Sequence, residues 1–117
     1  MGYTVVDAAD VEPRNGTFRQ MRKALGATAF GINQFELPPN QAGFEHDETA
    51  ANQEEVYVFL SGSGVLKVDG EEVEARPGRW VRVDAEAVRQ PVAGPDGLSW
   101  ICVGNVVGGS YTVREPF

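Results

Sequence analysis

Fourteen glycines and seven prolines break this chain into short apolar runs, and that punctuation limits what it folds into. An amphipathic helix needs apolar residues at three- to four-residue spacing sustained over about ten positions or more. Here the runs stop sooner and are rich in Val, Phe, Tyr and Trp, which reads as many short strands. Strands are expected at residues 29–37, 55–60, 64–68, 72–75, 80–83, 88–92 and 98–103, with an eighth at 111–113. Asp69-Gly70 supplies the positive-φ positions of a tight hairpin. Ser61-Gly62-Ser63-Gly64 reads as a break after its strand, and Gly94-Pro95-Asp96-Gly97 as a longer turn. Pairing is therefore mostly antiparallel, the class is all-β, and about eight strands suffice to close a small barrel or sandwich. One short helix is expected at 17–25: Thr17 serves as N-cap, Phe18, Met21, Ala24 and Leu25 recur at helical spacing, and Gly26 stops it.

The 117 residues suit one domain, so any pocket lies inside a single core or between subunits. A formal charge of −7 argues against a nucleic-acid partner, since phosphate binding needs clustered cations and only Arg14, Arg19, Arg22 and Lys23 come near one another. No stretch approaches the roughly 20 apolar residues of a membrane span, and the N-terminus has no basic segment followed by an apolar run. A lone Cys102 allows neither an internal disulfide nor a thiolate zinc site, which fits a reducing, cytoplasmic setting. Its neighbours Leu98-Ser-Trp-Ile-Cys-Val mark it as a buried, inert thiol.

The only histidine, His46, stands in Glu45-His46-Asp47-Glu48, just ahead of a strand that opens with Glu55. Residues two apart on an extended segment share a face, so His46 and Glu48 project together. By the same rule Glu55, Tyr57 and Phe59 share one face while Val56, Val58 and Leu60 form an aliphatic seam on the other. If His46, Glu48 and Glu55 converge, one imidazole and two carboxylates suit a divalent ion such as iron, manganese or zinc, with positions left open.

These residues resemble the cupin superfamily. Its first motif reads HxH, a spacer, then Glu, six residues and Gly; His46 matches the first His, Glu48 stands where the second belongs, and Glu55 and Gly62 keep the spacing. Its second motif carries a His about eleven residues after a Pro-Gly turn, and counting from Gly78 reaches Arg89. The resemblance covers about residues 35–103 and is more specific for fold than for activity.

The resemblance implies a double-stranded β-helix, a cupin or jelly-roll barrel, spanning 1–117, with a cover segment at 1–27 and the barrel at 28–113. It also implies a homodimer. Where the family typically offers three His and one Glu, this chain offers His46, Glu48, Glu55 and Arg89, and a guanidinium has no lone pair for a metal. Arg89 therefore either pairs with the carboxylates or meets an anionic group of a ligand. Two functional readings follow. One is a small-molecule-binding protein with a metal-poor site, formed by His46, Glu48, Glu55 and Arg89 and walled by Tyr57, Phe59 and Trp100. The other is an enzyme of dioxygenase, isomerase or decarboxylase type, in which His46, Glu48 and Glu55 hold iron, manganese, zinc or nickel and Arg89 anchors a small anionic substrate. A purely structural role predicts instead an interior filled by side chains.

Overall fold

Two long strands whose side chains alternate between the interior and the surface organise the molecule. In the computed structural model, which describes residues 2–116, the elements run β1 (Phe18–Arg19), α1 (Met21–Leu25), β2 (Gly31–Leu37), β3 (Gln53–Val68), β4 (Glu71–Ala75), β5 (Trp80–Val83) and β6 (Arg89–Val106). The sheet order is β1-β2-β6-β3-β4, with β5 also on β3, and every pairing is antiparallel. Among the described residues no helix is long and apolar enough to cross a membrane.

The strands expected at 55–60 and 64–68 are one strand, as are those at 88–92 and 98–103. Ser61–Gly64 does not end β3, and Gly94–Gly97 is not a turn. The ladder between β3 and β6 instead shifts register at Phe59/Ser61 and again at Gly62/Gly64. A β-bulge bends its strand without ending it, and a bend is required here. Sixteen residues at roughly 3.3 Å each would extend for about 50 Å, beyond the longest 42 Å dimension of the molecule. Gly62 (φ 86°) and Gly64 (φ 151°) make the bend possible, because a Cβ on them would sit 2.0 Å from Gly97 O and 2.1 Å from Val92 O.

The helix is shorter than expected. Residues 18–19 pair as β1 with Phe35 and Gln34, and the Thr17 carbonyl accepts the Glu36 N–H instead of starting a helix. Stacking of Phe18 on Phe35, with centroids 5.4 Å apart, outweighs a helical spacing that was local coincidence. Gly26 does stop the helix, in the left-handed conformation, with its N–H and that of Ala27 returning to Lys23 O and Arg22 O. Asp69 (φ 48°) and Gly70 (φ 85°) form the expected hairpin between β3 and β4. Residues 111–113 are not a strand.

The core lies inside the curl. Tyr57, Phe59, Leu66, Val83, Leu98, Trp100 and Cys102 fill it, with Phe35 packed against them. Truncating a side chain as deeply buried as Phe59 costs about 3–5 kcal/mol. Trp80, by contrast, is 68% exposed on the outer side.

Candidate functional site

The Pro38–Asn52 connection lies along β6 and delivers His46 to it. Gly43 N–H donates to Pro91 O, His46 and Arg89 exchange both backbone hydrogen bonds (3.0 and 2.8 Å), and Glu48 N–H donates to Ala85 O. Gly43 is needed at the closest approach, since a Cβ there would meet the Pro91 ring at 2.9 Å. With the segment pinned in extended form, His46 and Glu48 do face the same way, His46 Nε2 lying 3.3 Å from Glu48 Oε2.

Glu55, at the start of β3, is the hub. Its Oε1 accepts from Arg89 Nη2 at 2.9 Å and from the Tyr57 hydroxyl at 3.3 Å, and lies 3.8 Å from His46 Nε2. Arg89 is fully buried, and Nη1 donates to the carbonyls of Asp84 (3.2 Å) and Ala87 (2.7 Å). A buried cation so enclosed holds its charge because carboxylate and carbonyls replace water.

This fixed charge sets the titration of its neighbours. Burial alone would raise the Glu55 pKa, but His46, 3.8 Å away, and the hydrogen-bonded Arg89 bring it below the usual carboxylate value. Glu48 is raised, by burial first and by the nearby Glu55 charge second. His46 is raised chiefly by the neighbouring Glu55 carboxylate, against burial and Arg89, with a smaller contribution from Glu48. Glu48 is nearer, yet Glu55 acts more strongly, in keeping with its being the carboxylate held ionised. His46 and Glu48 thus form a pair in which each grips a proton harder than usual, an arrangement able to give or take one from a bound molecule. Burial, then Glu55, raises the Cys102 thiol pKa, so it is no nucleophile at neutral pH.

Two chambers open beside this cluster and share Phe35, Phe44 and His46 as a common wall. The first, of about 260 Å³, also has Leu37, Tyr57, Pro91 and Trp100 in its wall; the second, about 560 Å³, has Glu45, Glu48, Glu55 and Cys102. Of the side chains expected at the site, His46, Glu48, Glu55, Tyr57 and Trp100 line these spaces. Phe59 and Arg89 line neither: both are fully buried, Phe59 in the core and Arg89 behind Glu55. The structure resolves the two possibilities for Arg89 in favour of the carboxylate partner. Reading from the sequence missed Phe35 and Phe44. Phe44 had a signal, standing two residues before His46 on the same face of an extended segment. Trp100 Nε1, His46 Nδ1 and Arg89 Nε are buried without a hydrogen-bond partner, at a cost of about 1–3 kcal/mol each for a group left unsatisfied.

No protein-family model matches this sequence, and no curated protein matches it. Solved structures do. A cupin protein from Bacteroides fragilis superposes with a TM-score of 0.83 at 24% identity, over 97% of this chain and 92% of that one. The chain has the cupin fold. Two further structures with this fold match: a cupin-superfamily sugar phosphate isomerase from Silicibacter pomeroyi (TM-score 0.75, 21% identity, 87% and 75% covered), and a polyketide cyclase from Streptomyces resistomycificus (0.71, 23%, 86% and 77%). In a cupin barrel the question of a metal arises at once. Donor atoms of His46, Glu48 and Glu55 lie within 4.8 Å of one another, near enough for one ion to reach all three. The charges are less accommodating. Glu55 Oε1 is already engaged by Arg89 and Tyr57, and an ion among these donors would face a guanidinium that cannot discharge. The donors match a divalent ion in spacing, while the fixed charge of Arg89 offsets one of the two carboxylates such an ion would draw on.

Proposed function

We propose that this protein binds a small molecule in the twin chamber at the barrel mouth, around a site in which Arg89 takes the place of a metal ion. The observation that carries this reading is the buried Arg89–Glu55 pair, 2.9 Å apart, with the guanidinium fully enclosed behind the cavity wall. It neutralises Glu55 from within, leaving the His46–Glu48 pair as the polar group a ligand meets. The chambers themselves count against a purely structural role, for which the interior would be filled. Elemental analysis of protein purified without chelators is the test, and substoichiometric metal is the expected result. Stoichiometric iron, manganese, zinc or nickel that disappears in His46→Ala would overturn it. That outcome would favour the second reading, a metal-dependent enzyme, whose support is the convergence of three donors.

We also propose a homodimer formed through the outer face of the sheet. Register places Ile32, Val103 and Val56 side by side there, with Ile101, Val58 and Trp80 in the next row, and exposed Leu60 extends the patch. An apolar surface of this kind on a soluble protein marks an interaction site.

A further inference from the structure

We infer that the ligand of this site is an uncharged planar molecule and not an anion. The inference rests on the reading of the twin chamber as a ligand site and goes further, to the chemistry the walls select.

Charge is the first argument. The side chains with a formal charge in the two walls are Glu45, Glu48 and Glu55, and neither wall contains a Lys or Arg. Arg89, which is fully buried, gives Nη2 to Glu55 and Nη1 to backbone carbonyls, and it lines neither chamber. A phosphate or carboxylate entering the mouth would meet Glu45 and Glu48, while the Arg89 charge is spent on Glu55 and the His46 ring is already engaged by Glu48 at 3.3 Å. A compact cation would be welcome at the outer carboxylates but would have to shed its water to enter the apolar first chamber.

Shape is the second argument. Phe35 and Trp100 stack with centroids 4.9 Å apart and planes within 3° of parallel, and both rings line the first chamber. Phe44, in both walls, is 65% exposed and stands free to pack on whatever enters. The chamber of about 260 Å³ lies just under the range of roughly 300–1,000 Å³ usual for ligand pockets, so it suits one or two fused rings rather than an extended chain.

Hydrogen bonding is the third. Trp100 is 2% exposed, and its indole N–H, a donor with no acceptor in the protein, belongs to a ring in the chamber wall. His46 Nε2 and Glu48 Oε2, 3.3 Å apart, present further polar atoms at the boundary with the second chamber. A flat molecule whose polar edge carries a carbonyl-type acceptor and an N–H or O–H donor suits such a wall.

Two probes with one ring system separate these terms. 2-Naphthamide is neutral, 2-naphthoate is anionic at neutral pH, and the two have nearly the same shape. Binding is followed through the two indole N–H resonances of the ¹⁵N-labelled protein, Trp80 being assigned with Trp80→Phe. The amide is expected to move the Trp100 resonance and to bind at least about tenfold tighter than the carboxylate, and Glu48→Gln is expected to narrow that preference at least about threefold. Naphthoate binding as tightly as the amide would overturn the charge selection while leaving the chamber a ligand site. No movement of the Trp100 resonance by either probe would overturn both.

Discussion

At the scale of single residues, His46 offers an unusually direct readout, because a chain with one imidazole gives one set of histidine NMR signals. We expect its titration midpoint above the ordinary value of about 6.5, since Glu55 favours the charged ring. A folded-state pKa above the unfolded one means that the native state holds the proton more tightly. The corresponding stability is complete below about pH 6.5 and disappears as pH rises through the folded pKa. The deficit of His46→Gln in urea unfolding should therefore be larger at about pH 6 than on the alkaline side of that midpoint. An unchanged deficit would show that the ring is held neutral. Glu55 has the opposite sign, its contribution being lost as pH falls through its lowered pKa. Arg89→Met keeps the length of the side chain but leaves Glu55 without its cation, and should cost about 3–5 kcal/mol in equilibrium unfolding. Much of this cluster was legible beforehand: alternation by two set His46 beside Glu48, and motif spacing singled out Glu55 and Arg89. What could not be read was where the Arg89 donors go, because the carbonyls of Asp84 and Ala87 that hold them are presented by the turn before β6.

At the scale of elements, the bend in β3 is the feature on which the site depends. Arg89 pairs with Val68 at one end of β3, whereas Glu55 pairs with Gly104 at the other. They touch because the strand turns back over itself at its bulges. Gly62→Ala would place a methyl 2.0 Å from Gly97 O at a φ that side chains avoid, and we expect at least about 3 kcal/mol of destabilisation, or failure to fold. A melting temperature near wild type would mean that the bend is made elsewhere. The sequence showed the glycines and misjudged their effect: Ser61–Gly64 and Gly94–Gly97 look like strand ends when each is read alone, but they lie close in space, where each bulged backbone has the other to pair with. The error over residues 17–19 has the same origin. Phe18 fits a helix locally, and only Phe35, seventeen residues away, makes it a strand.

For the whole molecule, the fold class was the most legible property, since Gly and Pro punctuation and β-rich runs speak for an all-β chain however the strands are joined. The outer face was half legible. Val56, Val58 and Leu60 read as an aliphatic seam, yet nothing in the sequence showed that Trp80 extends it. If a second copy covers this face, light scattering after gel filtration should give about twice the 12.7 kDa chain mass, and Val58→Glu should yield monomers that remain folded. A wild-type monomer at micromolar concentration would remove the dimer.

The β3–β6 pairing also governs when the site can form. Partners are 21 residues apart at Val68/Arg89 and 53 apart at Gln53/Val106, and closing the shorter loop costs less chain entropy. Pairing that begins near the β4 hairpin and spreads outward reaches Glu55 almost last. Arg89 is in place early and waits for its partner. Loss of the ion pair should then accelerate unfolding and leave the refolding rate nearly unchanged, so that Arg89 acts less as an architect of the barrel than as the latch that keeps it shut.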